Sequence, residues 1–148
     1  RQALDEMEKM IENSISIMKV AMKDGRVVPG GGGIEMHLGK ELKDYALEYP
    51  GREQMAIMSF ADALEKIPRI LSQNHGFDAI GTMAQLHNYH EDGLHAYGIS
   101  ESGCVEDVCM ELAIVKKNLI RRAQEVATLM LRIDDLLIAK DIPKFHKK

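Results

Sequence analysis

Three groups of residues are of types and spacings that could do chemistry. The first is Gly30-Gly31-Gly32-Gly33, which follows the short stretch Arg26-Val27-Val28-Pro29 and precedes an amphipathic run from Ile34. Strand, glycine turn, helix is a layout in which backbone N–H groups and a helix's positive end meet an anion. The run has no GxGxxG spacing and no Lys-Ser/Thr after it. The spacing therefore leaves two readings equally open, a ligand contact or a tight turn between packed elements. Each glycine gives up more backbone freedom on folding than any other residue, so four in a row imply that something lies close against that backbone.

The second group is His87, His90 and His95, with Glu91 and Asp92. His87 and His90 are three apart on a predicted helix and could share a metal. No HExxH motif and no fourth ligand at a fixed offset accompanies them, so they read as exposed histidines and no metal is assigned. The third group, Cys104 and Cys109, is neither a CxxC redox pair nor half of a zinc site and reads as two reduced thiols. No Gly-x-Ser-x-Gly or Cys–His pair points to a nucleophilic hydrolase.

The elements that must position these groups are mostly helical. Leu4, Met7, Met10/Ile11, Ile15, Met18 and Met22 recur at three-to-four spacing and predict a helix over 4–23, stopped by Asp24-Gly25. The β-branched pair Val27-Val28 before Pro29 predicts a short extended stretch, because proline pushes the residue before it toward extended dihedrals. A second helix is expected from Ile34 to Tyr49, and Pro50-Gly51 is a turn. The segment 52–74 carries apolar residues around most of a helical circumference, the mark of a helix in the middle of a core. Asp78 can cap a helix to about Asn88, and residues 93–103 read as a loop with a short strand. A last long helix is expected over Met110–Leu131, followed by the apolar-flanked pair in "LRIDDLLI".

Length and composition bound the function. The chain has 148 residues, 45% of them hydrophobic, enough for one domain with a real core. A formal charge of −4 and pI near 5.9 argue against a nucleic-acid partner, whose phosphates demand a basic surface. The basic run over 140–148 reads as a solvated, flexible tail. No apolar run approaches the roughly 20 residues that span a bilayer, and no signal segment opens the chain. No membrane partner is expected, and the location is read as cytoplasmic. Because the chain starts at Arg1, it is expected to be a segment of something longer.

Read in order, "DEME", "DGRVVPGGG" with "IEM", "REQMAI", "FADALEKIPRIL", "QNHGFDAI" and "LMLRIDDLL" resemble the C-terminal half of a group II chaperonin subunit, of the archaeal thermosome and eukaryotic TCP-1 ring type. The resemblance covers nearly the whole chain and is weakest over 88–110. "SFADALEKIP", "ELAIVKKNLI" and "IGTM" lean toward the epsilon-like eukaryotic subunits. It implies an all-α fold: a helical bundle of the chaperonin equatorial-domain type with short strands, spanning residues 1–139, that binds ATP or ADP and makes contacts within a double ring of subunits. It also implies unfolded protein clients, taken up by an apical domain outside these residues. The glycine run of the family closes over the ribose and adenine side of the nucleotide, which carries over to Gly31 and Gly32. Glu111 stands where the family keeps an acidic residue near the ribose, ahead of Val115-Lys116, and Gly98 falls at another purine-side contact.

Departures from the family pattern bear on activity. The aspartate that helps activate the attacking water is replaced by Asn13, and an amide cannot accept a proton as a carboxylate does. General-base help is typically worth about 10²–10⁴-fold. Binding without efficient hydrolysis is the expectation, although an amide can still orient a water. The stretch between Gly98 and Glu111 is shorter than the family's, and the residue after Glu111 is Leu112 instead of proline. The family's Gly-Asp-Gly-Thr loop, which holds the phosphates and their magnesium, lies in the N-terminal half and outside this sequence. The competing reading is a chaperonin-derived helical assembly module without nucleotide turnover.

Overall fold

The computed structural model describes residues 2–106 and 108–134. The chain divides into two compact units, residues 1–114 and 115–148. The tail 140–148 and the second half of "LRIDDLLI", residues 135–138, lie outside the described residues.

The first unit begins with α1 (Gln2–Lys23), then β1 (Val27–Pro29), α2 (Gly33–Ala46), α3 (Arg52–Asn74) and α4 (Ala79–Glu91). Three short strands follow, β2 (Gly98–Ser100), β3 (Gly103–Val105) and β4 (Met110–Leu112), and α5 (Ala113–Leu131) starts at the end of this unit and makes up the described part of the second. The helices fall where the periodicity predicts them. Asp78 caps α4 as expected: its carboxylate accepts from Ile80 N and Gly81 N, both at 3.1 Å.

Two boundaries differ from expectation. Met110–Leu112 is not the start of the last helix but a strand, paired antiparallel with β1 in the register Val27↔Leu112, Val28↔Glu111, Pro29↔Met110. Met, Glu and Leu are good helix formers, and a tertiary partner overrides that weak preference. α2 stops at Ala46, short of Tyr49, with Leu47 N donating to Asp44 O in a tighter turn. The loop strand is present as β2 and has an antiparallel partner, β3, with Ile99 opposite Cys104.

The core of this unit lies where α2, α3 and α4 pack on one another and on the β2–β3 hairpin. Met36, Met83, Leu86 and Ile99 are its buried centre, flanked by Leu71, Tyr97 and Cys104. α2 and α3 cross closely at Gly39, where a Cβ would lie 2.9 Å from Glu65 Cγ. Lys43 ties the same helices together, with Nζ 2.7 Å from Glu65 Oε2 and 3.1 Å from Asp62 Oδ1.

The expectation that residues 52–74 sit in the middle of a core is met on one face only. Ala61, Leu64, Glu65, Pro68 and Ser72 are buried, but Met55, Met58, Phe60 and Ile70 are exposed. The stripe of α1 is exposed along its length, from Leu4 at 68% to Met22 at 89%. A soluble chain seldom leaves so much contiguous apolar surface open without a partner for it. Among the described residues no helix is long and apolar enough to cross a membrane.

Candidate functional site

The glycine run is enclosed by its own chain. Gly30 N donates to Cys109 O at 2.9 Å, continuing the β1–β4 ladder, and Ile99 N donates to Gly31 O at 2.8 Å, so the run is held between β4 and β2. Gly31 and Gly32 both have positive φ, 57° and 76°, and Gly32 is the N-cap of α2. This is the left-handed region that side chains disfavour.

Space is as restricted as conformation. A Cβ on Gly31 would lie 2.5 Å from Ile99 O, one on Gly32 2.6 Å from Pro68 Cβ, and one on Gly33 2.5 Å from Tyr97 O. At Gly30 it would run into Cys109 O and come 2.9 Å from Glu111 Oε1. Close packing therefore accounts for the whole run, and Pro68 of α3 occupies the space that Gly32 leaves. The tight turn between packed elements is present, and the partly exposed Gly31 leaves the ligand-contact reading open.

Four of the expected site residues, Gly31, Gly32, Gly98 and Glu111, nonetheless lie together here. Gly98 packs against Gly30 O and Gly31 O, where a Cβ would lie 2.6 and 3.3 Å away. Glu111, half-buried and opposite Val28, brings its carboxylate to Gly30. Gly31 is partly exposed, whereas Gly32 and Gly98 are buried. Asn13 stands apart: it is exposed on α1, and among the described residues no hydrogen bond or ion pair joins it to the glycine cluster.

The histidines group differently from their spacing. His87 Nδ1 lies 3.3 Å from Glu91 Oε1, its neighbour one turn along α4. His90 and His95 are instead joined by His37 of α2. His90 is not an exposed histidine: it is fully buried, and its Nε2 is 3.1 Å from Tyr97 O. Burial holds the His90 and His37 imidazoles below their ordinary pKa. His37 could not be found from local spacing, because it comes from a helix remote in sequence. Both cysteines are free; burial pushes the Cys104 thiol up, which keeps it protonated and inert.

The helical body with its short strands is a fold of the chaperonin equatorial-domain type, and the chain belongs to the TCP-1/cpn60 chaperonin family, whose model matches residues 1–141. Among curated relatives, it is 42% identical over 146 residues to a thermosome subunit of Methanopyrus kandleri, covering 95% of this chain and 27% of that protein. It is 42% identical over 144 residues to the thermosome subunit alpha of Halobacterium salinarum, covering 94% and 26% respectively. The open-state monomer of a group II chaperonin from Methanococcoides burtonii superposes with a TM-score of 0.77 at 35% identity, over 90% of this chain and 34% of that one. The chain thus spans about a quarter of the length of the curated relatives it matches.

Proposed function

We propose that this chain serves as the C-terminal equatorial part of a group II chaperonin subunit, a protein-folding machine driven by ATP, and contributes nucleotide contacts and ring assembly. Family membership supports the class, and the meeting of Gly31, Gly98 and Glu111 at one glycine turn is the observation that carries the site. The donor set suits the sugar and purine side of ATP or ADP. Gly31 offers partly exposed backbone, and the Glu111 carboxylate is an acceptor suited to ribose hydroxyls. This residue set has no cation to meet phosphate charge, in keeping with phosphates and magnesium being held by residues outside this chain. Gly32 and Gly98 act as packing that shapes the turn, since neither has free space beside it.

Asn13 takes the place of a water-activating carboxylate and lowers turnover. The partners on this reading are other chaperonin subunits in a double ring and unfolded clients bound elsewhere in the subunit, with no nucleic acid or membrane, in the cytoplasm. A second reading, an assembly module without nucleotide turnover, draws support from the glycine run being fully explained by its own neighbours.

Calorimetric titration of the chain with ADP separates the two. Under the first reading the chain binds, and Glu111→Gln weakens binding about 10–100-fold, the worth of one hydrogen bond to a charged group. Circular dichroism on the same sample reports the fold. A folded chain that binds no ADP leaves the assembly module.

A further inference from the structure

The imidazoles of His37, His90 and His95 come from α2, the last turn of α4 and the loop that follows it. One ring nitrogen of each lies within 4.8 Å of the others. The rings pack at centroid separations of 4.3 Å for His37–His95, 5.9 Å for His90–His95 and 6.1 Å for His37–His90. Nε2 of His90 is taken by Tyr97 O, but its Nδ1 is buried without a hydrogen-bond partner, and so is Nδ1 of His37. Buried polar atoms are nearly always satisfied, so two orphaned nitrogens in one cluster call for an explanation.

We propose that His37, His90 and His95 form a divalent transition-metal site, taking Zn²⁺ on one nitrogen of each ring with water at the fourth position. Three imidazoles and an open position are a donor set that zinc accepts. Tetrahedral Zn–N bonds of about 2.0–2.1 Å set the nitrogens about 3.3 Å apart, so the present spacing has to close by about 1.5 Å at most. The exposed ring of His95, on its loop, supplies most of that movement. His90 is already oriented: with Nε2–H donating to Tyr97 O, Nδ1 is left as the lone-pair nitrogen, the outer-sphere arrangement that metal-bound histidines use. Lys40 acts against a cation here, with its Nζ held 3.1 Å from His90 O, and Glu41 acts for it at His37. A bound ion pins residues 92–97 to α2 and α4. Because Tyr97 O also lies over Gly33, the pin reaches the base of the glycine turn.

The whole chain, stripped with EDTA and dialysed, is titrated with Zn²⁺ against a chromophoric chelator and with Co²⁺ followed by visible absorption. The expected result is one equivalent of Zn²⁺ and the intense d–d bands of four-coordinate cobalt. His95→Ala, which removes an exposed ring, and His37→Gln each weaken binding by more than the roughly 10–100-fold that an outer-sphere partner is worth. His87→Ala leaves it unchanged. A folded chain without one-to-one binding, or binding that survives His95→Ala, overturns the assignment.

Discussion

Gly32→Ala adds one methyl group at a point where backbone conformation and space are both restricted. The residue has φ 76°, and left-handed backbone costs a non-glycine residue about 1–2 kcal/mol. The new Cβ would lie 2.6 Å from Pro68 Cβ and 2.8 Å from Pro68 Cα. Neither atom is the end of a flexible side chain, so α2 and α3 have to move apart, and overpacking of this kind costs about 1–3 kcal/mol. The sum, about 2–5 kcal/mol, is a large fraction of the 5–15 kcal/mol that holds a typical domain folded. Gly93→Ala is the control: its φ is 82°, but nothing lies within 4 Å of its Cβ position, so only the conformational part is lost. With a urea m-value of about 1–3 kcal/mol/M, Gly32→Ala lowers the unfolding midpoint by about 1 M or more. It lowers it further than Gly93→Ala, at unchanged m. Equal midpoints for the two variants would show that Pro68 does not fill the space at Gly32, and the packing account of the glycine run would be refuted.

Lys43→Met removes the partner of the buried Glu65. The expected loss is about 1–3 kcal/mol by urea unfolding, below the value for a fully buried pair because Lys43 is partly exposed, and adding Glu65→Gln recovers part of it. Burial works against the Lys43 ammonium, but its hydrogen bonds to Glu65 and Asp62 outweigh burial and raise its pKa. The stabilisation is therefore complete below the unfolded-state value of 10.5 and is lost as pH rises through the folded-state value, and an unfolding series at alkaline pH in wild type and Lys43→Met should converge. Asp78→Ala strips the α4 cap, with an expected cost of about 1 kcal/mol and a thermal midpoint lower by about 2–6 °C. The exposed apolar stripe of α1 is expected to hold copies of the chain together; Ile11→Lys with Ile15→Lys then lowers the sedimentation coefficient at unchanged helicity, and a wild-type chain that sediments as a monomer, or an unchanged profile in the variant, would remove α1 as a contact between copies.

The helices were legible because their signals are local and repeated: the three-to-four spacing from Leu4 to Met22, the carboxylate of Asp78 before α4, the stop at Asp24-Gly25. The strands were only partly so. Three residues are too few to show a period, and Met110–Leu112 becomes a strand only because Val27–Pro29 lies beside it. The family's glycine turn could be read from motif order, but what presses on it could not. Pro68 and Tyr97 reach Gly32 and Gly33 through the fold, just as His37 reaches His90. Exposure of α1 and of half of α3 depends on which neighbours are present, and a sequence pattern reports only which faces want one.

The β1–β4 clip has a mechanical meaning. Ala113 N donates to Arg26 O at 3.0 Å, immediately outside the Val27↔Leu112 pair, so the chain enters and leaves the α2–α4 body at adjacent points. Tension applied through the flanking segments therefore acts on one end of a three-pair antiparallel ladder. Such a ladder parts like a zipper, one rung after another from Val27↔Leu112 toward Pro29↔Met110, where pulling from opposite ends would load every rung together. The next bond in line, Gly30 N to Cys109 O, belongs to the glycine turn itself. A pull transmitted along the backbone thus arrives at that turn before it disturbs the helices behind it.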